Sequence, residues 1–174
     1  MRTKIYTSRK FEKLVKRLIT PDKDSENGKL GKWNATVFYI DRKKCWLITN
    51  GLTKYNVILT DIKTSDFKNI EQIFKNALYG QLVYDGIITN FANLNSIIGG
   101  IDFLPTDNDR TTTGFQNTNL QSLEWWKMEF RYLENMPIKD LTNRLNQIPI
   151  HLGKSKKMSD FTKALDEMKK ILDE

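Results

Sequence analysis

Between Trp33 and Thr60 the chain carries three runs rich in aromatic and β-branched residues, WNATVFYI, CWLITN and YNVILT. That density of strand formers constrains the fold more than any other feature. The first two runs flank the polar DRKK and read as a hairpin, Trp33 to Ile40 and Lys44 to Asn50; the third, over 55–60, follows a GLTK turn and extends the hairpin into a meander. A short first strand is expected over 3–6, and IDFLP, 101–105, is strand-like.

Helical periodicity surrounds these runs. Phe11, Leu14, Val15, Leu18 and Ile19 form one stripe, with Thr7 or Ser8 as N-cap and Pro21 beyond the end. A polar loop, DKDSENGKLGK, follows over 22–32. Phe67, Ile70, Ile73, Phe74, Ala77 and Leu78 predict a second helix, capped by Thr64 or Ser65, with Asp66 facing its N-terminal dipole. Gly80 and Gly86 interrupt it, and a further helix runs to about Asn95. The segment NLQSLEWWKMEFRYLE places Leu123, Trp126, Phe130 and Leu133 on one side; Trp125 and Trp126 point about 100° apart, so one of the pair is expected in the core and the other at an interface. Two last helices are expected, Ile138–Gln147 after Pro137 and Ser159–Leu172. Strands early and helices late predict a single α+β domain over 1–174, an antiparallel meander of about 4–5 strands packed against several helices, with 107–174 helical.

The bulk numbers agree. A chain of 174 residues, 39% hydrophobic and 28% charged, buries a sizeable core without staples. No apolar run approaches the ~18 residues of a membrane span, and the N-terminus is charged where a signal peptide is apolar. The lone Cys45 forbids an internal disulfide, which places the chain in a reducing compartment, the cytoplasm. The net charge of +7 concentrates at the start, where Arg2, Lys4, Arg9, Lys10, Lys13, Lys16 and Arg17 face Glu12 alone. Such a footprint suits a polyanion; a merely solvated helix face is the bland counterpart.

The segment TDNDRTTTGFQNTN, 106–119, is the least core-like part of the chain. With Asp107 or Asn108 as N-cap, Arg110, Gly114 and Asn117 recur at i, i+4 and i+7 on one face, Thr113 beside them. Arg110 offers five fixed donors, and a glycine within a helix costs about 1 kcal/mol, which suggests a close approach at Gly114. The face is either an internal clamp that satisfies carbonyls at the sheet edge or a shallow site for an anionic or peptide ligand.

Catalytic repertoires are thin. His151 has no acidic or thiol neighbour at ligand spacing, Cys45 sits inside a strand, and GKLGK and IIGGI lack the spacing of phosphate-cradling loops. Asp102, Asp107 and Asp109 suggest Mg²⁺ only weakly, with no Lys or Glu placed beside them. No catalytic residue, metal ligand or cofactor is assigned.

The order Trp33, Ala35, Arg42, Lys43, Asn50 and then Arg110, Gly114, Asn117 resembles a bacterial family of domains of unknown function. In that family a tryptophan-led strand, a basic turn and a second strand precede an Arg-x-x-x-Gly-x-x-Asn motif; here Thr111 and Gln116 stand where Ser and Met are frequent. Similar domains occur alone and in plasmid-associated reading frames, which hints at mobile elements; the resemblance covers most of 1–150 and implies a fold and a motif rather than a reaction. The reading is a non-catalytic binding module for a protein or an anionic ligand, through Arg110, Thr113, Gly114 and Asn117 combined with the basic N-terminal helix. The alternatives are nucleic-acid binding through Lys10, Lys13, Lys16, Arg17, Arg42, Lys43 and Lys44, and a metal-dependent hydrolase; no membrane partner is expected.

Overall fold

The computed structural model describes residues 1–21, 27–87, 89–153 and 157–173. Its elements are β1 (Arg2–Thr7), α1 (Arg9–Leu14), β2 (Trp33–Ile40), β3 (Lys43–Asn50), β4 (Asn56–Leu59), α2 (Ile70–Tyr84), α3 (Phe91–Ile98), β5 (Gly100–Leu104), α4 (Arg110–Phe130), α5 (Ile138–Gln147), β6 (Pro149–Ile150), β7 (Thr162–Lys163) and α6 (Ala164–Asp173). The expected meander is present: β2 pairs antiparallel with β3, Trp33 opposite Asn50 and Ile40 opposite Lys43, and β3 pairs antiparallel with β4. The hairpin loop is only Asp41–Arg42, at φ 47° and 63°, the backbone that a two-residue type I′ loop demands.

The sheet as a whole corrects the antiparallel expectation. Its order is β4-β3-β2-β1-β5, and β1 runs parallel to both β2 and β5. The reason is connectivity. Two strands joined through a helix and a long segment return by crossover, which leaves them parallel, whereas only tight loops force antiparallel neighbours. The class remains α+β, with a mixed sheet.

Helices cover both faces. Ile5, Trp33, Val37, Trp46 and Val57 point to one side and pack with Phe11 of α1, Phe74 and Leu78 of α2 and Leu94 of α3. Edge-on aromatic contacts bind this layer: Phe11 to Trp46 at 4.7 Å and Trp33 to Phe74 at 5.4 Å between centroids. On the other side Phe38, Ile40, Cys45, Leu47 and Ile58 meet Leu123 of α4 and Leu141 and Leu145 of α5. Among the described residues, no helix is long and apolar enough to cross a membrane.

Several boundaries differ from the periodicity. Ser8 caps α1 as expected, but the helix gives way at Val15 to a 3₁₀ turn, Lys16–Leu18. Thr20 then donates its N–H to Phe103 O of β5 at 2.9 Å, so backbone pairing diverts the end of the stripe. Neither Thr64 nor Ser65 caps the second helix; the Asp66 carboxylate accepts from Lys63 N–H at 2.7 Å, and a 3₁₀ turn, Thr64–Asn69, leads into α2. Gly80 continues α2, and Gly86, at φ 76°, follows its end. The last helix starts at Ala164, not Ser159, because Thr162–Lys163 pairs with Pro149–Ile150. Of the loop expected over 22–32, residues 22–26 lie outside the described residues.

Gly99 has a specific structural task. It closes α3 at φ 62°, and a Cβ there would meet Met1 O at 2.2 Å, so only glycine lets the chain turn into β5 beside β1. Two outcomes are expected in urea melts. Gly99→Ala loses about 2 kcal/mol or more, from backbone strain and the clash, whereas Arg42→Gly gains roughly 0.5–1 kcal/mol by relieving an L-residue at positive φ.

Candidate functional site

The polar stretch becomes the loop after β5 and the first turns of α4. Asp109, not Asp107 or Asn108, is the N-cap: one carboxylate oxygen accepts from Thr112 N at 2.9 Å and the other from Thr112 Oγ1 at 2.9 Å. Asp107 folds the preceding turn by accepting from Asp109 N at 3.2 Å and Asn34 Nδ2 at 2.9 Å. Lys32, on the way into β2, reaches both carboxylates, Asp107 in a short ion pair and Asp109 at 3.0 Å. A lysine therefore does stand beside these acids, contrary to expectation, and neutralises them. Asp102 is held elsewhere by Arg2 at 2.7 Å. Among the described residues, no three of His, Cys, Asp and Glu gather as metal ligands.

α4 has two polar faces, and the structure separates them. The inward face is Thr112, Gln116 and Asn119, followed by Leu123. Gln116 Nε2 donates to Asn34 O at 2.8 Å, and Asn119 Nδ2 donates to Asn56 Oδ1 at 3.1 Å. The internal clamp thus exists, but Gln116 and Asn119 form it. Arg110, Thr113, Gly114 and Asn117 share one face as their spacing implies, and that face is exposed. Among the described residues nothing lies within 4 Å of where a Cβ at Gly114 would stand, so none of them makes the expected close approach.

Asn56 continues the network. Its Oδ1 also accepts from Thr49 Oγ1 at 2.8 Å, and its Nδ2 donates to Lys54 O at 3.0 Å and Asn146 Oδ1 at 3.1 Å. Asn146 Nδ2 donates to Asp85 Oδ2 at 3.2 Å, which also accepts from Tyr55 Oη at 2.5 Å; burial, with Asp85 beside it, drives the Tyr55 hydroxyl well above the usual phenol range. Lys54 is buried too. Its Nζ donates to Gly51 O at 2.5 Å and Thr112 Oγ1 at 3.0 Å, and burial pushes its ammonium below the usual lysine range.

The exposed face of α4 lines a depression of about 600 Å³ with partners far away in sequence. Arg110, Thr113, Gly114 and Asn117 form one wall; Ser8, Arg9, Thr106 and Asn108 form the other. Arg9 Nη2 donates to Asn108 Oδ1 at 3.4 Å, and Asn108 is held at φ 56°. The depression lies where the parallel strands β1 and β5 end and the chain enters α1 and α4. Carboxyl ends of parallel strands are where such sheets place ligands. Arg9 appeared in the sequence as one more charge of a basic helix; its proximity to Arg110 is a product of the parallel β1–β5 pairing.

The remaining basic candidates disperse. Lys10, Lys13, Lys16 and Arg17 are exposed; Lys10 stands 5.7 Å over the Tyr39 ring, and Tyr39 pairs across the hairpin with exposed Lys44. Lys43 points to the opposite side of the sheet and pairs with Glu134, and Arg42 occupies the turn. Cys45 is buried, and desolvation raises its thiol, so it is a poor nucleophile. Trp125 is exposed while Trp126 packs on the second core.

Stability measurements separate the two faces of α4. Gln116→Ala is expected to cost about 1–3 kcal/mol, since sheet carbonyls lose a buried donor, and Arg110→Ala to stay within about 0.5 kcal/mol, as exposed substitutions do. Burial alone would raise the Asp109 carboxyl, but the Thr112 N–H, Lys32 and the Thr112 hydroxyl together hold it at about 2. A carboxyl depressed on folding stabilises above its unfolded value, about 3.9, and that stability, roughly 2 kcal/mol, disappears as pH falls from about 4 to 2. Asp109→Asn, which keeps the cap acceptor, is expected to flatten the stability–pH curve over that window.

No curated protein and no solved structure shows significant similarity to the chain. The match that exists spans almost all of it, covering the tryptophan-led hairpin and the Arg110, Gly114, Asn117 face together: residues 4–167 fit the model of the family described as Domain of unknown function (DUF6933), and the chain belongs to that family.

Proposed function

We propose that this protein is a non-catalytic binding module that takes a small anionic ligand, one bearing phosphate or carboxylate groups, in the depression between α1 and α4. One observation carries the reading: two guanidinium side chains, Arg9 and Arg110, line the same depression, with hydroxyls and amides around them and, among the described residues, no carboxylate in the lining. Guanidinium groups match carboxylate and phosphate oxygens in pairs. Ser8, Thr106, Asn108, Thr113 and Asn117 add neutral donors and acceptors suited to orienting such a group. Of the nearby acids, Asp107 and Asp109 pair with Lys32, while the Glu12 carboxylate accepts from Thr106 N at 3.4 Å behind the wall. Among the described residues, the lining contains no thiol, imidazole or carboxylate to act on a bound ligand.

Nucleic-acid binding is the second reading, favoured by the exposed Lys13, Lys16 and Arg17 next to Lys10 and Lys44. The two readings separate by salt and by mutation. Pyrophosphate or citrate at millimolar concentration is expected to raise the melting temperature of the wild type, by about 2.7 kcal/mol of stabilisation at a hundred times Kd. Arg9→Ala and Arg110→Ala each abolish that rise without altering the ligand-free melt. If neither anion moves the melt, the small-ligand reading fails. Retention on DNA that falls steeply with ionic strength, and that Lys13→Glu rather than Arg110→Ala removes, supports the second reading instead.

A further inference from the structure

α4 borders two cavities and a strip of open surface between them. A mostly apolar cavity of about 320 Å³, with Phe115, Leu145, Ile150, His151 and Phe161 in its lining, lies on one flank, and the depression of Arg9 and Arg110 lies on the other. The strip carries two large apolar side chains, Trp125 and Met128, each 72% exposed and three residues apart, so they are neighbours on the helix surface. Apolar surface that gathers in one place marks a contact site, and tryptophan is enriched among the residues that carry binding energy.

Charge decides what fits there. Arg110, Asn117 and Glu124 follow one another at intervals of seven residues, about two helical turns, so they lie in one line along α4, and all three are exposed. The line is positive at one end, an amide in the middle and negative at the other. Such a line complements itself only when reversed. Laid antiparallel about a twofold axis at Asn117, a second α4 sets Glu124 against Arg110 at both ends, about 10 Å from the axis. Laid parallel, it sets arginine on arginine and glutamate on glutamate, which like-charge repulsion opposes.

The flanking groups suit the antiparallel arrangement. Glu124 Oε1 accepts from Lys127 Nζ at 2.8 Å within the helix, and Oε2 has no partner among the described residues, so the carboxylate retains an oxygen for a guanidinium. Arg9 stands in the wall opposite Arg110, and a carboxylate arriving there meets both. Gly114 lies one turn from Arg110 on the same face, and among the described residues nothing comes within 4 Å of a Cβ at that position. A glycine weakens a helix interior, and close approach of a second helix gives it a use that no contact of its own chain supplies.

We infer that two copies of this chain associate through α4, antiparallel about a twofold axis at Asn117, each placing Glu124 in the arginine-lined depression of the other and covering Trp125 and Met128. The inference rests on the anion reading to the extent that both use Arg9 and Arg110, so a free anion and the partner's Glu124 compete for the same two guanidinium groups.

Sedimentation equilibrium of the whole chain, in low salt without phosphate, is expected to give twice the 20.4 kDa of one chain, with the mass falling on dilution. Glu124→Arg and Arg110→Glu each bring like charges together at both ends and weaken association by about a hundredfold or more. The chain carrying both changes restores the pairs, reversed, and with them the dimer. Gly114→Trp, at an open helical position, keeps its melting curve but fills the approach and is monomeric. The inference is overturned if the wild type stays at the mass of one chain up to millimolar concentration, if either charge reversal or Gly114→Trp associates like the wild type, or if the doubly changed chain associates no better than the single variants. Pyrophosphate tells its failure from that of the anion reading. A monomeric wild type that melts higher with pyrophosphate overturns the dimer alone, whereas a dimer whose mass and melting temperature ignore pyrophosphate supports the dimer and removes the small-anion reading.

Discussion

The side chain of Asn56 is the point on which the second layer of this protein depends. It sits on the edge strand β4, is almost completely buried, and accepts two hydrogen bonds and donates two. Through those bonds it fixes β3 by Thr49, α4 by Asn119 and α5 by Asn146, and Asn146 carries the link to Asp85 at the end of α2. A fully satisfied buried amide specifies geometry in a way that an apolar contact does not, because any shift leaves polar atoms unpaired in a medium of low dielectric constant. The hydrophobic residues of α4 and α5 supply burial; Asn56 supplies register.

That arrangement explains how so polar a helix packs on a sheet. The first turns of α4 bury Thr112, Gln116 and Asn119 rather than an apolar stripe, and each finds a partner: Asp109 and Lys54, Asn34 O, and Asn56. The inward face is therefore committed before the outward face is considered. Arg110, Thr113 and Asn117 are left to line the depression that the loops after β1 and β5 complete. The same network buries Lys54, whose ammonium stands 5.7 Å from the Phe115 ring, in the wall of the apolar cavity that α4 also lines. Two cavities of opposite character, one lined by two arginines and one mostly apolar, thus flank the N-terminal half of a single helix.

Much of this was legible in advance, and the failures are instructive. The hairpin and its third strand follow from three nearby runs of β-branched and aromatic residues, and α5 begins right after Pro137 as its pattern implies. The i, i+4, i+7 spacing correctly put Arg110, Gly114 and Asn117 on one face. It did not say which way the face turns, since Thr112, Gln116 and Asn119 form an equally polar neighbouring face, and an amide buried against a sheet looks no different in sequence from one in water. Lys32 beside Asp107 and Asp109 was invisible for another reason: its partners are more than seventy residues away and meet it only across the sheet.

By itself the sequence determined the elements whose causes are local: strands where β-branched residues cluster, helices where apolar residues recur, caps near Ser8 and in the aspartate-rich turn before α4. Such preferences act over one or two turns of chain and persist in any context that does not oppose them. The tertiary structure alone decided that β1 lies between β2 and β5 and parallel to both, and hence that Arg9 and Arg110 line one depression. It also decided which amides of α4 are buried and that His151 closes an apolar cavity. These are choices among distant partners, made when hydrogen-bonding groups removed from water must find one another, and no short stretch of sequence contains both halves of such a pair.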